Sequence, residues 1–156
     1  MEHLSSVLQK LIGQIPDLHE ALRIEFADIS RLADMQLGYA VDMAGNDLSG
    51  TDEGDWRSTW LVFGYDYGDP VFVDTNEEAK GFPVYVAEHD RDSWEPQEIA
   101  KSFLGLIRIL QALNEAMHTQ KVRYASLVAS IEPHTDNIDY WEVVIEGIEE
   151  NLEQNF

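Results

Sequence analysis

The stretch from Trp56 to Thr75, WRSTWLVFGYDYGDPVFVDT, restricts the fold more than any other part of the chain. Two apolar runs, Trp60-Leu61-Val62-Phe63 and Val71-Phe72-Val73, flank the cluster Gly64-Tyr65-Asp66-Tyr67-Gly68-Asp69-Pro70. β-Branched and aromatic residues on both sides of a Gly/Asp/Pro cluster predict a hairpin, because such a cluster supplies the backbone angles of a reversal. Pro70 has no N–H, so it belongs at the first position of the returning strand. Both arms are almost continuously apolar, so both faces are expected to be covered, with Trp60, Val62, Val71 and Val73 buried at the centre of a sheet.

The remaining elements are placed by periodicity. Leu4, Val7, Leu8, Leu11 and Ile12 recur at helical spacing and predict a helix over residues 3–13. Asp17 to Leu22 reads as a short helix capped by Asp17, and Arg23 to Ile29 alternates as a half-buried strand does. Ser30 is expected to cap a short helix through Gln36 that ends at Gly38, followed by a strand at Tyr39-Ala40-Val41. Ala44 to Asp55 is a polar connection. A calcium loop starting at Asp42 would have Asn46 fifth and Glu53 twelfth, but Ala44 is no ligand and Asp47 stands where the sharp turn needs Gly. After a loop over Thr75–Gly81 comes a strand at Phe82–Ala87 with Pro83 near its start. A helix from Pro96 or Gln97 to Met117 would align Ile99, Ala100, Phe103, Leu106, Ile107, Leu110 and Leu113. Two further helices are expected, Gln120–Ile131, stopped by Pro133, and Asn137–Leu152, with Trp141, Val144, Ile145, Ile148 and Leu152 on one face.

These elements add up to a single α+β domain over residues 1–156, a mainly antiparallel sheet packed against helices, with residues 118–156 as a helical extension. A chain of this length buries roughly two thirds of the surface it would expose unfolded. With no cysteine, disulfides, thiol catalysis and Cys-ligated zinc are all excluded. The start, Met1-Glu2-His3-Leu4, lacks the pattern of a signal peptide, and no apolar run is long enough to span a bilayer, so a cytoplasmic location is expected.

Charge is the extreme property: 30 acidic against 10 basic residues, a net charge of −20. Residues 32–79 hold eleven acids and only Arg57, and residues 132–156 hold eight acids and neither Lys nor Arg. Such a field repels nucleic acid and anionic lipid and speeds encounter with basic partners, although it also serves solubility alone.

Trp60-Leu61-Val62-Phe63-Gly64, Gly68-Asp69-Pro70-Val71-Phe72-Val73-Asp74, Pro83-Val84-Tyr85, Trp94 and Ile99-Ala100-x-Ser102-Phe103 occur in the order of the SUKH superfamily. Over residues 1–117 the chain resembles the bacterial Smi/Knr-type branch of that superfamily. It departs where a His-Gly-x-Gly-like turn is expected and His89-Asp90-Arg91-Asp92 stands instead. The resemblance implies an α+β domain without a shared catalytic set. Bacterial members are regarded as immunity proteins that neutralise polymorphic toxins, often nucleases, and fungal relatives as scaffold-like regulators. Trp60, Gly64, Gly68, Asp69, Pro70, Asp74, Pro83, Trp94 and Phe103 would then be structural.

The residues themselves offer little chemistry. Asp66, Asp69 and Asp74 would have to converge to form a metal site or an acid/base pair; turn geometry explains Asp69 and Asp74 as well. His3, His19, His89, His118 and His134 show no paired ligand spacing, and His89 beside Asp90 reads as a hydrogen-bonded surface histidine. Ser58 and Ser102 lack a nucleophile-elbow context, and Gly64 with Gly68 forms no phosphate loop. Trp56, Trp60, Trp94 and Trp141 read as core or lid residues. No cofactor or metal is expected. Three functions remain: an immunity protein binding a basic toxin encoded nearby, a scaffold for cellular proteins, and a metal-dependent hydrolase using the hairpin carboxylates. For a protein partner, Asp47, Asp52, Glu53 and Asp55, together with Glu77 and Glu78, would form an acidic rim. A monomer and a homodimer both remain open.

Overall fold

The computed structural model describes residues 4–18, 21–119 and 123–154. The hairpin is β2 (Trp60–Asp66) and β3 (Asp69–Asp74), with β1 (Ile24–Phe26), β4 (Val84–Val86) and β5 (Gln97–Ala100) completing the sheet. The five strands form an antiparallel meander in the order β1-β2-β3-β4-β5, so β3 is central. The arms run further than the apolar runs do: Gly64, Tyr65 and Asp66 belong to β2, and the reversal is only Tyr67-Gly68. Pro70 is the second residue of β3, opposite Tyr65.

Both faces of the hairpin are covered. On one, Leu61, Phe63, Val71, Val73 and Val84 join the main core with buried residues of α1 (Ser6–Gly13), α2 (Phe103–Thr119), α3 (Tyr124–Ile131) and α4 (Ile138–Gln154). On the other, Val62 and Phe72 pack with Met35, Trp56 and Ala87 under the irregular segment that precedes β2. Val62, Val71 and Val73 are fully buried, while Trp60 is half-buried against Trp56 and Phe72.

Two bulges shape the sheet. In β2, Phe63 is the extra residue between the Val62–Phe72 and Gly64–Val71 pairs. A Cβ at Gly64 would lie 2.7 Å from the Phe26 ring, so glycine here lets Phe26 stack on Phe63 at 5.7 Å. In β5, Ile99 is the extra residue between Val84–Ala100 and Tyr85–Glu98. This bulge explains the main departure from expectation. Ile99 and Ala100 are both buried in the main core, and two adjacent inward residues mimic a helical stripe. The predicted helix start is therefore strand, and α2 begins at Phe103, where Ser102 Oγ accepts the Gly105 N–H at 3.0 Å.

Other departures are local. Ser5, whose Oγ accepts the Leu8 N–H, starts α1 three residues later than periodicity suggests. Asp17, Leu18, Ala21 and Leu22 are not helical, and His19 and Glu20 lie outside the described residues. Ser30 sits inside a 3-10 turn, Ile29–Arg31, bonded to Asp28, and a second turn, Asp34–Gln36, follows. Tyr39-Ala40-Val41 forms no strand, only isolated bridges of Val41 to Leu37 and Asp47, because the Tyr39, Ala40 and Val41 N–H groups all turn back onto Gln36 O. Residues 120–122 of the helix expected over Gln120–Ile131, and His3, lie outside the described residues, as does the Leu152 side chain of α4. None of the described helices is long and apolar enough to cross a membrane.

Two polar anchors close the layers. β1 pairs only with Gly64–Asp66, which leaves the Val62 backbone without a strand neighbour on that side. The buried Gln36 amide replaces it, accepting from Val62 N at 2.9 Å and donating to Val62 O at 2.7 Å and Leu32 O at 2.8 Å. Beyond β5, Ile99 O accepts Thr135 Oγ1 at 2.8 Å and Trp141 Nε1 at 2.7 Å, and His134 O accepts Lys101 N. The C-terminal segment thereby covers the edge strand.

Gln36→Leu would strand the Val62 N–H and C=O in the interior and is expected to lower stability by roughly 2–4 kcal/mol in urea titration. Removing residues 134–156 would uncover β5 and the Trp141 site. That truncation is expected to lose cooperative unfolding; an unchanged melting curve would show that α4 contributes no cover.

Candidate functional site

The distinctive polar chemistry gathers at the hairpin tip. Tyr67 and Gly68 both have positive φ, +50° and +87°, as a two-residue type I′ turn requires. Glycine suits this backbone, whereas tyrosine is strained in it. Strand pairing brings Asp66 beside Ile24, and so beside Arg23. Arg23 Nε lies 2.9 Å from Asp66 Oδ1 and Nη2 donates to Oδ2 at 3.1 Å. Tyr140 of α4 donates its hydroxyl to the same Oδ2 at 2.8 Å. Asp66 is only 5% exposed, so this charge has left water and needs both partners. Burial, reinforced by the Asp66 charge, raises the Tyr140 hydroxyl far above its ordinary range and keeps it a donor.

Asp69, across the turn, accepts both the His89 N–H at 3.1 Å and His89 Nδ1 at 2.6 Å. The hydrogen bond to Asp69 raises the imidazole pKa, with the Asp90 and Asp69 charges adding to it. The His89 ring also packs against Gly68, where a Cβ would stand 3.1 Å from Cε1, and Tyr39 Oη donates to Gly68 O at 2.8 Å. Between these groups lies a recess of about 190 Å³ lined by Arg23, Asp66, Asp69, Glu88, Arg91 and Tyr140, among others.

Of the hairpin aspartates only Asp66 and Asp69 are brought together, opposite each other in the strand register and lining the same recess. Asp66 and Asp69 flank the tip with separate partners, and Asp74, at the far end of β3, caps the following 3-10 turn by accepting Asn76 N at 2.9 Å. Among the described residues, no three His, Asp or Glu side chains stand close enough to hold a metal ion.

The acidic rim is divided between loop construction and exposure. Asp42 accepts Ala44 N, Asn46 N and the Asn46 amide, and Asp47 accepts Ser49 N and Oγ; these bonds lower both carboxyl pKa values. The polar connection at Asp42 is thus a turn that its own carboxylate organises. Asp55 Oδ2 accepts Asp52 N at 3.0 Å against Gly50, where no Cβ would fit. Gly54 O accepts Trp94 N, and Trp94 sits edge-on to Trp56 and Tyr39, which pins the loop over the second core. Glu77 accepts the Tyr85 hydroxyl at 2.7 Å and pairs with Lys80. Asp52, Glu53 and Glu78 are left exposed. No hydrogen bond or ion pair joins the 47–55 loop to Glu77 or Glu78 among the described residues; the latter pair follows β3 at the end away from the tip.

Of the residues shared with the SUKH-like motifs, Pro70, Pro83 and Phe103 are buried, and Phe103 packs on Phe63 at 4.9 Å. Sequence reasoning missed Arg23, Tyr67 and Tyr140. The available signal was Tyr67-Gly68 in the centre of the turn cluster, where Asn-Gly is the ordinary choice; the Tyr140 contact spans 74 positions.

The raised His89 pKa fixes the sign of a pH effect. Its stabilisation is fully present below the unfolded value of 6.5 and is lost as pH rises through the folded value. In thermal melts, wild type is expected to exceed His89→Gln at about pH 5.5 and to converge with it at about pH 9. A constant gap across that range would mean that only the uncharged hydrogen bond matters. No protein-family model, curated protein or solved structure matches this chain.

Proposed function

We propose that this protein is a non-enzymatic binding module that captures and neutralises a basic toxin domain encoded beside it. The observation that carries the reading is the distribution of charge over a fixed scaffold: a net charge of −20, with Asp52 and Glu53 held outward on a loop that Asp42, Asp47, Asp55 and Trp94 rigidify. A pre-ordered acidic loop loses little conformational freedom on docking, and its field accelerates encounter with a positive surface. The SUKH-like run of motifs supports the immunity role within that class. At the tip, Asp66 and Asp69 are committed to Arg23, Tyr140 and His89, which favours support over acid/base work.

Co-expression with the toxin domain is the direct test: growth rescue is expected, and persistent toxicity at equal expression would overturn the immunity role. The electrostatic part is tested with Asp52→Asn, Glu53→Gln and Glu78→Gln combined, which spares the carboxylates that build the loop. Association with the purified toxin domain should slow by roughly tenfold at low ionic strength and much less near 0.15 M, with dissociation little changed. Equal association rates at both salts would remove these three acids from the binding process.

A further inference from the structure

The acidic field explains attraction but not what would hold a partner in place. The hairpin tip has the properties of such an anchor. Tyr67 is 75% exposed although its φ of +50° is one that tyrosine adopts only under strain. Asn or Gly there would relieve the strain and remove an exposed aromatic ring from solvent. The ring also rests on a built support: the Arg23 guanidinium carbon lies 5.6 Å from its centroid, and Arg23 is itself fixed by buried Asp66 and Tyr140.

Clefts lie on both sides of the ring. One, about 300 Å³, is bounded by Glu25, Tyr39 and Tyr65. The other, about 270 Å³, is bounded by Val143, Glu146 and Glu150 of α4. Glu25, Glu146 and Glu150 are exposed, Val143 is 50% exposed, and the basic residue shared by both clefts, Arg23, is neutralised by Asp66. An apolar ring on a stiff turn, between two acid-edged hollows, is complementary to a surface carrying paired basic side chains with apolar stems.

Building on the proposed capture of a basic protein, we infer that Tyr67 is the docking anchor, with a lysine or arginine side chain of the partner seated in each flanking cleft. The acidic loop then governs the association rate and the tip governs the dissociation rate.

The test uses the full chain and the purified basic toxin domain, with kinetics and thermal melts on two variants. Tyr67→Asn is expected to raise the melting temperature, since the turn gains a favoured residue, while dissociation accelerates at least about tenfold. Glu146→Lys with Glu150→Lys reverses charge in one cleft on an exposed helix face and is expected to weaken binding at least about tenfold with an unchanged melting temperature. If wild type binds in a salt-dependent way and both variants bind as wild type does, the anchor is elsewhere and the capture reading stands. Weaker binding by Tyr67→Asn with a lowered melting temperature, beside normal binding by the double lysine variant, would assign Tyr67 a structural role and overturn the inference. If wild type does not bind the toxin domain at all, the capture reading fails and the inference fails with it.

Discussion

β3 is excluded from water on both faces, and most of the architecture serves that requirement. A strand whose Val71, Phe72 and Val73 are all fully buried needs a layer above and a layer below. The helices supply one layer through an ordinary amphipathic core. The other layer is built differently, from irregular backbone, two 3-10 turns and a connected set of aromatic rings including Tyr39, Trp56, Trp60 and Trp94. Irregular cover leaves backbone groups that no ladder satisfies, and the Gln36 amide answers this by completing the hydrogen bonding of Val62. Trp56 Nε1 is buried without a hydrogen-bond partner, a cost the dense ring packing around it must offset.

Covering the sheet with a long loop also governs how the acidic surface can work. The carboxylates of the loop divide by task. Asp42, Asp47 and Asp55 accept backbone N–H groups and fix the path, and Asp52 and Glu53 are exposed on the result. High acidity and rigid loop structure are therefore linked, because the same residue type both terminates turns and carries charge. At the other extreme is Asp66, an acid removed from water and neutralised by Arg23, whose role is to join β1, the hairpin and α4 into one support. A buried pair of this kind adds little net stability over an apolar alternative, but losing either member is costly. Its value lies in holding a definite geometry at the tip.

Sequence by itself determined the central hairpin, the covering of both its faces, the polar loop before it, and α1, α3 and α4 to within a few residues. Each of these signals is local: an apolar run broken by turn residues, or a stripe at helical spacing, with its physical cause inside the segment. Tertiary structure alone decided the rest. Ile99 and Ala100 read as helix because a bulge turns both inward, and only pairing with β4 makes that stretch a strand. Gln36 looks like an ordinary polar residue of a short helix until Val62, 26 positions away, needs a partner. Asp66, Arg23 and Tyr140 are a turn acid, a strand-end base and a helix aromatic in the sequence, and they become one network only when strand register and helix docking superimpose them. Propensity and periodicity act over a few residues, whereas unsatisfied polar groups are matched across the fold, so the core outline is encoded locally and the polar connections are not.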